Sequence, residues 1–446
     1  MEKENGKKRK KKVLVLGGGV TGLTVAATLS RKGHTVTLLE AENTVGGLAR
    51  TMKFNGQQYD LGPHEFCTNH PSLVNYLKEL LEDDFLVRHK QSAQFFMDRL
   101  IDYPIKPLHI LRQMDNFLIL RIFFEIIYFR FKNLLVEPMD YSFKQWVENR
   151  FGVTMYEIYF KPYTEKVWGI DPGQLDLRTA SDRIGFNSVF DILYKTLLYY
   201  FTGKEQFNSI HNPLKSKFYY SNGGIGTLME ALSRQCKDAG CTVRLNWTVK
   251  EVLVEEQKIK TVVSENGETE TGYDYVVSTI PLTKLNETMG RGDLNFNLRY
   301  RGMIFCFLEV PRKNPSPYHW LYFPEKKYSF QRTSEFSLFE ANMTKPGHSA
   351  ICAEVACFPT DPLWQSDDED IVGFVEKDLI DASVLNEPKG VKEWVYRENY
   401  AYPIQVNGFL EHVSNSLSYI KSITNLTTTG RQGLYKYCNM NECMEL

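Results

Sequence analysis

Residues 13–22 constrain the fold more than any other stretch. Val13-Leu14-Val15-Leu16 is a short, wholly apolar run with lysines before it and glycines behind it, the pattern of a strand buried on both faces of a parallel sheet. Gly17-Gly18-Gly19-Val20-Thr21-Gly22 follows at once. Residues 23–31 then carry helical periodicity, with Ala26 and Ala27 on one face, until Gly33 stops the helix. Residues 35–40 read as a second strand. A strand, a GxGxxG turn, a helix and a second strand open a doubly wound sheet around a dinucleotide. Gly17 permits the tight turn, Gly19 lets a pyrophosphate approach the backbone, and Gly22 lets helix and strand pack closely, so that the helix N-terminus faces the anion. Glu40 ends the second strand, placed to accept a hydrogen bond from a ribose hydroxyl. Val20, Thr21 and Ala41 complete this part of the candidate cofactor site.

Composition narrows the class. The 446 residues are 43% hydrophobic and 24% charged, which suits a globular protein of several domains and excludes disordered and fibrous chains. The net charge of −1 argues against a nucleic-acid partner, because phosphate neutralisation needs a basic surface. Eight cysteines are too few for a disulfide scaffold of this length. The pairs Cys236/Cys241, Cys352/Cys357 and Cys438/Cys443 have no histidines at zinc spacing, so no metal site is expected. Reduced cysteines and a basic run at residues 7–12, with no cleavable apolar segment after it, lead to the expectation of a cytoplasmic chain. The most apolar stretch, residues 117–131, contains Arg121, Glu125 and Arg130. Charges at that spacing argue against a membrane-spanning helix. They suit an amphipathic helix, buried or docked on a surface, and peripheral membrane contact is carried forward as an expectation.

Helical periodicity dominates residues 72–201. A glycine turn at 221–226 leads into a helix at 227–238, and strands are expected at 242–244, 248–255, 261–264 and 273–279, the last closed by Pro281. Residues 302–355 are β-rich. A helix is expected over 367–382 with Ser366 as its N-cap, and a strand over 426–429. The α/β pattern thus recurs at the start, middle and end of the chain. The expected fold is α/β: a Rossmann-like cofactor domain formed by 1–71, 215–290 and 400–446, interrupted by a helical insertion, 72–214, and a β-rich substrate domain, 291–399.

Gly46-Gly47-Leu48-Ala49-Arg50 adds a second glycine pair and an arginine suited to dinucleotide phosphates. With these residues the sequence resembles the FAD proteins that include amine oxidases, protoporphyrinogen oxidases and carotene desaturases. Asp274-Tyr-Val-Val-Ser-Thr279-Ile-Pro281 resembles that group's second cofactor strand, and Gly430-Arg431 its C-terminal flavin contact. The resemblance implies FAD as the cofactor, with Gly47, Leu48, Arg50, Val249, Thr279, Gly430 and Arg431 joining the first loop around it.

Gly62-Pro-His64-Glu-Phe66-Cys-Thr68-Asn69 and Tyr163-Thr-Glu-Lys-Val-Trp168-Gly169 are similar to motifs of the UDP-galactopyranose mutases. This narrower resemblance implies a redox-neutral isomerase that interconverts pyranose and furanose forms of a nucleotide sugar, with reduced flavin N5 as nucleophile. It also implies a reductant such as NAD(P)H or a reductase. His64 would lie near the flavin, Arg183 and Arg332 would clamp the diphosphate, and Tyr402 and Tyr437 would donate hydroxyls to it. Tyr163, Trp168 and Tyr194 would meet the nucleotide. Asn439 stands where the mutases often carry an acid. Core packing is the competing role for either Tyr163 or Trp168, and an ordinary surface arginine for Arg332. Two other functions stay open: an FAD-dependent oxidoreductase of the amine oxidase or protoporphyrinogen oxidase type, which the apolar run 119–128 suits, and a protein that binds FAD without chemistry.

Overall fold

The computed structural model describes residues 9–103, 115–136, 140–181, 217–311, 315–385 and 392–445. The chain divides into two compact units, one formed by Met1–Arg50, Gly226–Leu298 and Leu410–Leu446, the other by Thr51–Ile225 and Arg299–Phe409. The helical and β-rich segments therefore belong to one unit.

The first unit is built on a five-stranded parallel sheet. Its spatial order is Leu426–Thr428, Tyr275–Ser278, Lys12–Leu16, Thr35–Leu39, Thr242–Arg244. Val13, Leu14, Val15 and Leu16 are all buried, as an apolar run at the centre of a two-sided sheet requires. From Lys12–Leu16 the chain crosses to one neighbour, Thr35–Leu39, while the other neighbour, Tyr275–Ser278, comes from a distant segment. That makes the carboxyl end of the first strand a topological switch point, where open α/β sheets bind ligands. Helices Val20–Arg31 and Gly226–Asp238 pack on each other. A small antiparallel sheet, Val249–Glu255, Lys258–Ser264 and Thr269–Thr271, completes the unit.

The second unit carries a seven-stranded mixed sheet. The order is Lys392–Ile404, Arg299–Val310, Ser349–Cys357, Arg332–Glu335, Trp320–Tyr322, Ser92–Phe96, Arg99–Tyr103. Alternate residues of the long central strand, Ile304, Cys306 and Leu308, face a core shared with Ile371, Val375 and Leu379 of helix Asp368–Asp381. A separate core gathers Trp146, Phe151, Tyr156, Val167 and Trp168 around helices Phe143–Phe151 and Lys161–Trp168.

Two local expectations are corrected. Residues 72–201 are not uniformly helical, because Phe85–His89, Ser92–Phe96 and Arg99–Tyr103 are strands. Their partners include Trp320–Tyr322 and Lys217–Ser221, far along the chain, and short apolar runs carry no signal of such pairing. Ser366 does not cap the following helix. The N-cap is Asp367, and the Ser366 hydroxyl donates to the Pro362 carbonyl instead.

Candidate functional site

In the first unit the cofactor cradle grows from the end of the first strand. Gly17 has φ +99°, and a Cβ there would lie 2.6 Å from Thr279 Oγ1. Thr279 is held by hydrogen bonds from its amide and hydroxyl to the Leu16 carbonyl, so it props the loop from below. A Cβ on Gly22 would overlap the Gly17 carbonyl oxygen. A Cβ on Gly19 would meet nothing within 4 Å. The loop is thus tight against protein at its first and third glycines and open at its second, the side from which a pyrophosphate approaches. Helix Val20–Arg31 begins with Gly19 as N-cap, no side-chain cap and no acid in its first turn, leaving its dipole to an external anion.

The second glycine turn lies alongside. Gly46 N donates to Gly18 O at 2.8 Å, and Gly19 and Gly46 form a parallel bridge. Gly46 and Gly47 both have positive φ, and a Cβ on Gly46 would press on Arg50 and Met229. Arg50 is buried and lies 3.5 Å from the half-exposed Glu42 carboxylate. Leu48 sits in the short turn Gly47–Ala49 that follows. Glu40 accepts from Gly18 N at 2.6 Å and from Glu42 N at 2.9 Å. Burial raises its pKa, and those two amide bonds oppose the rise. One contact per oxygen leaves the carboxylate able to accept ribose hydroxyls. Ala41 is exposed beside it, and Val249 is buried just past Trp247, whose amide donates to the Glu40 carbonyl.

The C-terminal motif closes on the same helix start. Gly430 has φ +82°, and a Cβ there would meet Thr21 Oγ1 at 2.6 Å. Thr429 N donates to Ser278 O, anchoring the turn at the sheet's carboxyl edge. Thr21 donates to the Cys443 carbonyl at 3.1 Å. Arg431 stacks over the Tyr437 ring at 4.6 Å. Asn439 N donates to Glu442 at 2.7 Å, so Asn439 begins the last helical turn. Cys443 lies buried in the same turn. A hydrogen bond from Cys438 holds its pKa below the usual thiol value, and Arg431 acts in the same direction against burial. Its one sequence signal is the Cys438/Cys443 spacing.

In the second unit five of the expected residues form one linked cluster. Arg332 sits on the strand Arg332–Glu335, opposite Tyr322 on one side and Glu354 on the other. Glu354 is buried and accepts from Arg332 Nε at 2.6 Å and Nη2 at 2.7 Å. Burial works against the arginine's charge, and the Glu354 carboxylate more than offsets it, holding the proton more firmly than usual. Nη1 lies on the edge away from this fork. Tyr322 and Tyr402 both interact electrostatically with Arg332, and the Tyr322 ring lies 6.0 Å from the guanidinium. Tyr163 meets Tyr322 edge-on at 6.4 Å. Trp168, 4% exposed, packs 5.8 Å from Tyr402 and belongs to the helical core. Tyr163 and Tyr402 are only half-buried.

His64 joins through its own turn. Gly62 has φ +88°, and a Cβ there would lie 2.9 Å from Glu354 Oε1. His64 Nδ1 is 3.1 Å from Gly62 O. A carbonyl only accepts, so Nδ1 is the donor in this contact. Glu65 pairs with Lys90 at 3.0 Å, and Lys90 lies 4.8 Å over the Trp320 ring. Glu354, Tyr322 and Lys90 carry no sequence signal of these partnerships. Arg183 and Tyr194 lie outside the described residues.

Comparison with known proteins places this geometry among flavoproteins. The family model described as flavin containing amine oxidoreductase matches residues 20–403. Coproporphyrinogen III oxidase of Staphylococcus aureus is 24% identical over 287 residues, 61% of this chain and 60% of that protein. A protein of Klebsiella pneumoniae described as a UDP-galactopyranose mutase is 26% identical over 179 residues, 37% of this chain and 43% of its own length. The chain thus spans 60% and 43% of the length of these relatives. Among solved structures, a reduced UDP-galactopyranose mutase superposes with a TM-score of 0.82 at 20% identity, covering 98% of this chain and 92% of that one. A structure described as a protoporphyrinogen oxidase, from Exiguobacterium, gives 0.70 at 18% identity, covering 98% of both.

Proposed function

The chain belongs to the flavin containing amine oxidoreductase family, a flavin-dependent enzyme with FAD as cofactor, and on that premise we propose that it acts as a flavin-dependent mutase on a nucleotide sugar. The observation that carries the reading is the Arg332 cluster. A guanidinium bordered by Tyr322 and Tyr402, with Tyr163 edge-on to the Tyr322 ring, offers what a nucleoside diphosphate asks of a protein: a cation for the phosphates, hydroxyl donors and aromatic faces. An amine or a wholly apolar substrate asks for none of these together.

The FAD site fits its group. The open face at Gly19, the uncapped helix start at Val20 and the Glu40 carboxylate match pyrophosphate and ribose. When bound and reduced, FAD supplies a nucleophilic ring nitrogen. The protein's own tasks are then binding and orientation. Arg332 neutralises a phosphate through its Nη1 edge while Glu354 fixes its plane. Tyr402 donates to a phosphate oxygen, and Tyr163 presents a ring to the base. His64, with Nδ1 tied to Gly62, is held in the turn that the Arg332–Glu354 pair borders. Arg183 serves as a second cation on the strength of its sequence motif. The reductant is NAD(P)H or a reductase.

The test is to reduce the purified flavoprotein with dithionite and offer UDP-galactofuranose. Conversion to UDP-galactopyranose by the reduced form alone is expected. The competing reading, an oxidase, draws on the similarity to coproporphyrinogen III oxidase. Oxygen uptake with coproporphyrinogen or an amine, and no sugar conversion, would establish it and remove the mutase.

A further inference from the structure

Helix Asn116–Leu135 presents an apolar face that is exposed among the described residues of its unit. Phe117, Leu120, Phe124, Tyr128, Phe131 and Leu135 recur at intervals of three and four and so share one stripe. All six are more than half exposed, from Leu120 at 53% to Leu135 at 85%. The opposite face holds the helix in place. Ile126 is buried, Glu125 accepts from the Thr154 amide and hydroxyl at 2.7 and 2.6 Å, and Asn133 donates to the Asn149 carbonyl at 2.9 Å. The exposed stripe is therefore the outer side of a docked helix.

Charge selects the occupant. Helical spacing puts Arg121 and Lys132 on one edge of the stripe and Arg130 on the other, all three exposed. Glu125, the helix's one acid, is turned toward Thr154 and Arg121. An apolar stripe rimmed by cations on both sides matches a membrane surface with anionic headgroups, where the rings sink below the headgroups and the basic side chains reach back up to them. A second copy of the same face would bring two cationic rims together, which like-charge repulsion opposes. Among the described residues no helix is long and apolar enough to cross a membrane. We propose that this helix docks the protein flat on an anionic lipid surface.

Flotation of the full-length, FAD-loaded protein with vesicles tests this. One set is phosphatidylcholine alone and the other phosphatidylcholine with phosphatidylglycerol at two to one. Strong binding to the mixed vesicles is expected, weaker by on the order of tenfold or more to the neutral ones and weakened by salt. Phe124→Glu with Phe131→Glu should abolish binding while flavin absorbance and thermal midpoint stay unchanged. Arg130→Gln with Lys132→Gln should lower affinity for the mixed vesicles by about fivefold per charge. No binding to the mixed vesicles, or binding that the double glutamate variant leaves intact, would overturn the proposal. So would a concentration-dependent dimer in sedimentation that the glutamate variant dissolves while vesicles are ignored; the face would then be a protein interface.

Discussion

Arg332 and Glu354 face each other across adjacent antiparallel strands, joined by two parallel N–H···O bonds of 2.6 and 2.7 Å. The carboxylate is buried, and the Gly62 turn passes close enough that a Cβ would press on it. One ion pair thus sets both the plane of the candidate phosphate-binding arginine and the path of the His64 turn. Removing one member of such a pair leaves a buried charge uncompensated, at a cost of about 3–5 kcal/mol. Glu354→Gln should lower stability in urea by an amount in that range. Arg332→Lys keeps the charge but loses the fork, so under the mutase reading it should raise KM for the nucleotide sugar with a smaller change in kcat.

The glycines of the first loop separate fold from cofactor binding. Gly19 has extended backbone geometry, φ −74°, with open space where a Cβ would go. Gly19→Ala should therefore leave the apoprotein's stability within about 1 kcal/mol of wild type, the usual range away from strained or packed positions. Its methyl group would occupy the pyrophosphate's approach, so visible flavin absorbance after purification should fall sharply. Gly22→Ala, which collides with the Gly17 carbonyl, should lose both flavin and stability. Equal flavin retention in Gly19→Ala and wild type would remove the loop from the cofactor site.

How far the sequence reveals this arrangement depends on how local each signal is. The cradle around Gly17, Gly19, Gly22 and Glu40 is legible because strand, turn and helix are consecutive and each glycine has a steric reason. Tyr163, Trp168 and His64 stand out through short motifs. Glu354 does not, because its partnership with Arg332 exists only once Ser349–Cys357 pairs in register with Arg332–Glu335. Phe85–His89 and Ser92–Phe96 are hidden for the same reason, with partners at Lys217–Ser221 and Trp320–Tyr322. Cys438 and Cys443 were visible as a spacing, but the hydrogen bond between their thiols comes from the folded C-terminal turn.

Asp60 gives a pH test. It is fully buried, accepting from Thr51 Oγ1 at 2.6 Å, from the Ile225 amide and from the Tyr220 hydroxyl. Burial raises its pKa from 3.8 to about 6, and those hydrogen bonds oppose the rise. Between these values the folded protein holds a proton that the unfolded chain has released. This contribution to stability is complete below 3.8 and is lost as pH rises through 6, by up to about 3 kcal/mol. Glu335, raised to about 7 by burial, acts with the same sign, and His319, lowered to about 4, with the opposite one. The difference between wild type and Asp60→Asn isolates the first group. Denaturant melts from pH 4 to 7 should show wild type losing stability relative to the variant as pH rises; a constant difference would remove the assignment.

Lys166 connects the most specific sequence motif to the arginine cluster. Its ammonium donates to the carbonyls of Phe323 at 2.7 Å, Phe330 at 3.1 Å and Glu325, all in the loop between the Tyr322 strand and the Arg332 strand. Burial pulls its pKa down to about 7 against the pull of Asp378 and Glu325, so the site invests in a charge that burial disfavours, and three backbone acceptors depend on it. Lys166→Met fits the volume and leaves those carbonyls unsatisfied, at about 1–3 kcal/mol for each one that stays buried. Stability should fall by about 2–4 kcal/mol, below the full sum because part of the loop can turn to water. The loop's two ends carry Tyr322 and Arg332, so substrate affinity should fall further than that of FAD, whose candidate cradle lies in the other unit. Isothermal titration of UDP against the variant, with flavin content measured on the same sample, decides the matter: weakened UDP binding with unchanged flavin marks Lys166 as a positioning residue, and parallel loss of both marks a general folding defect.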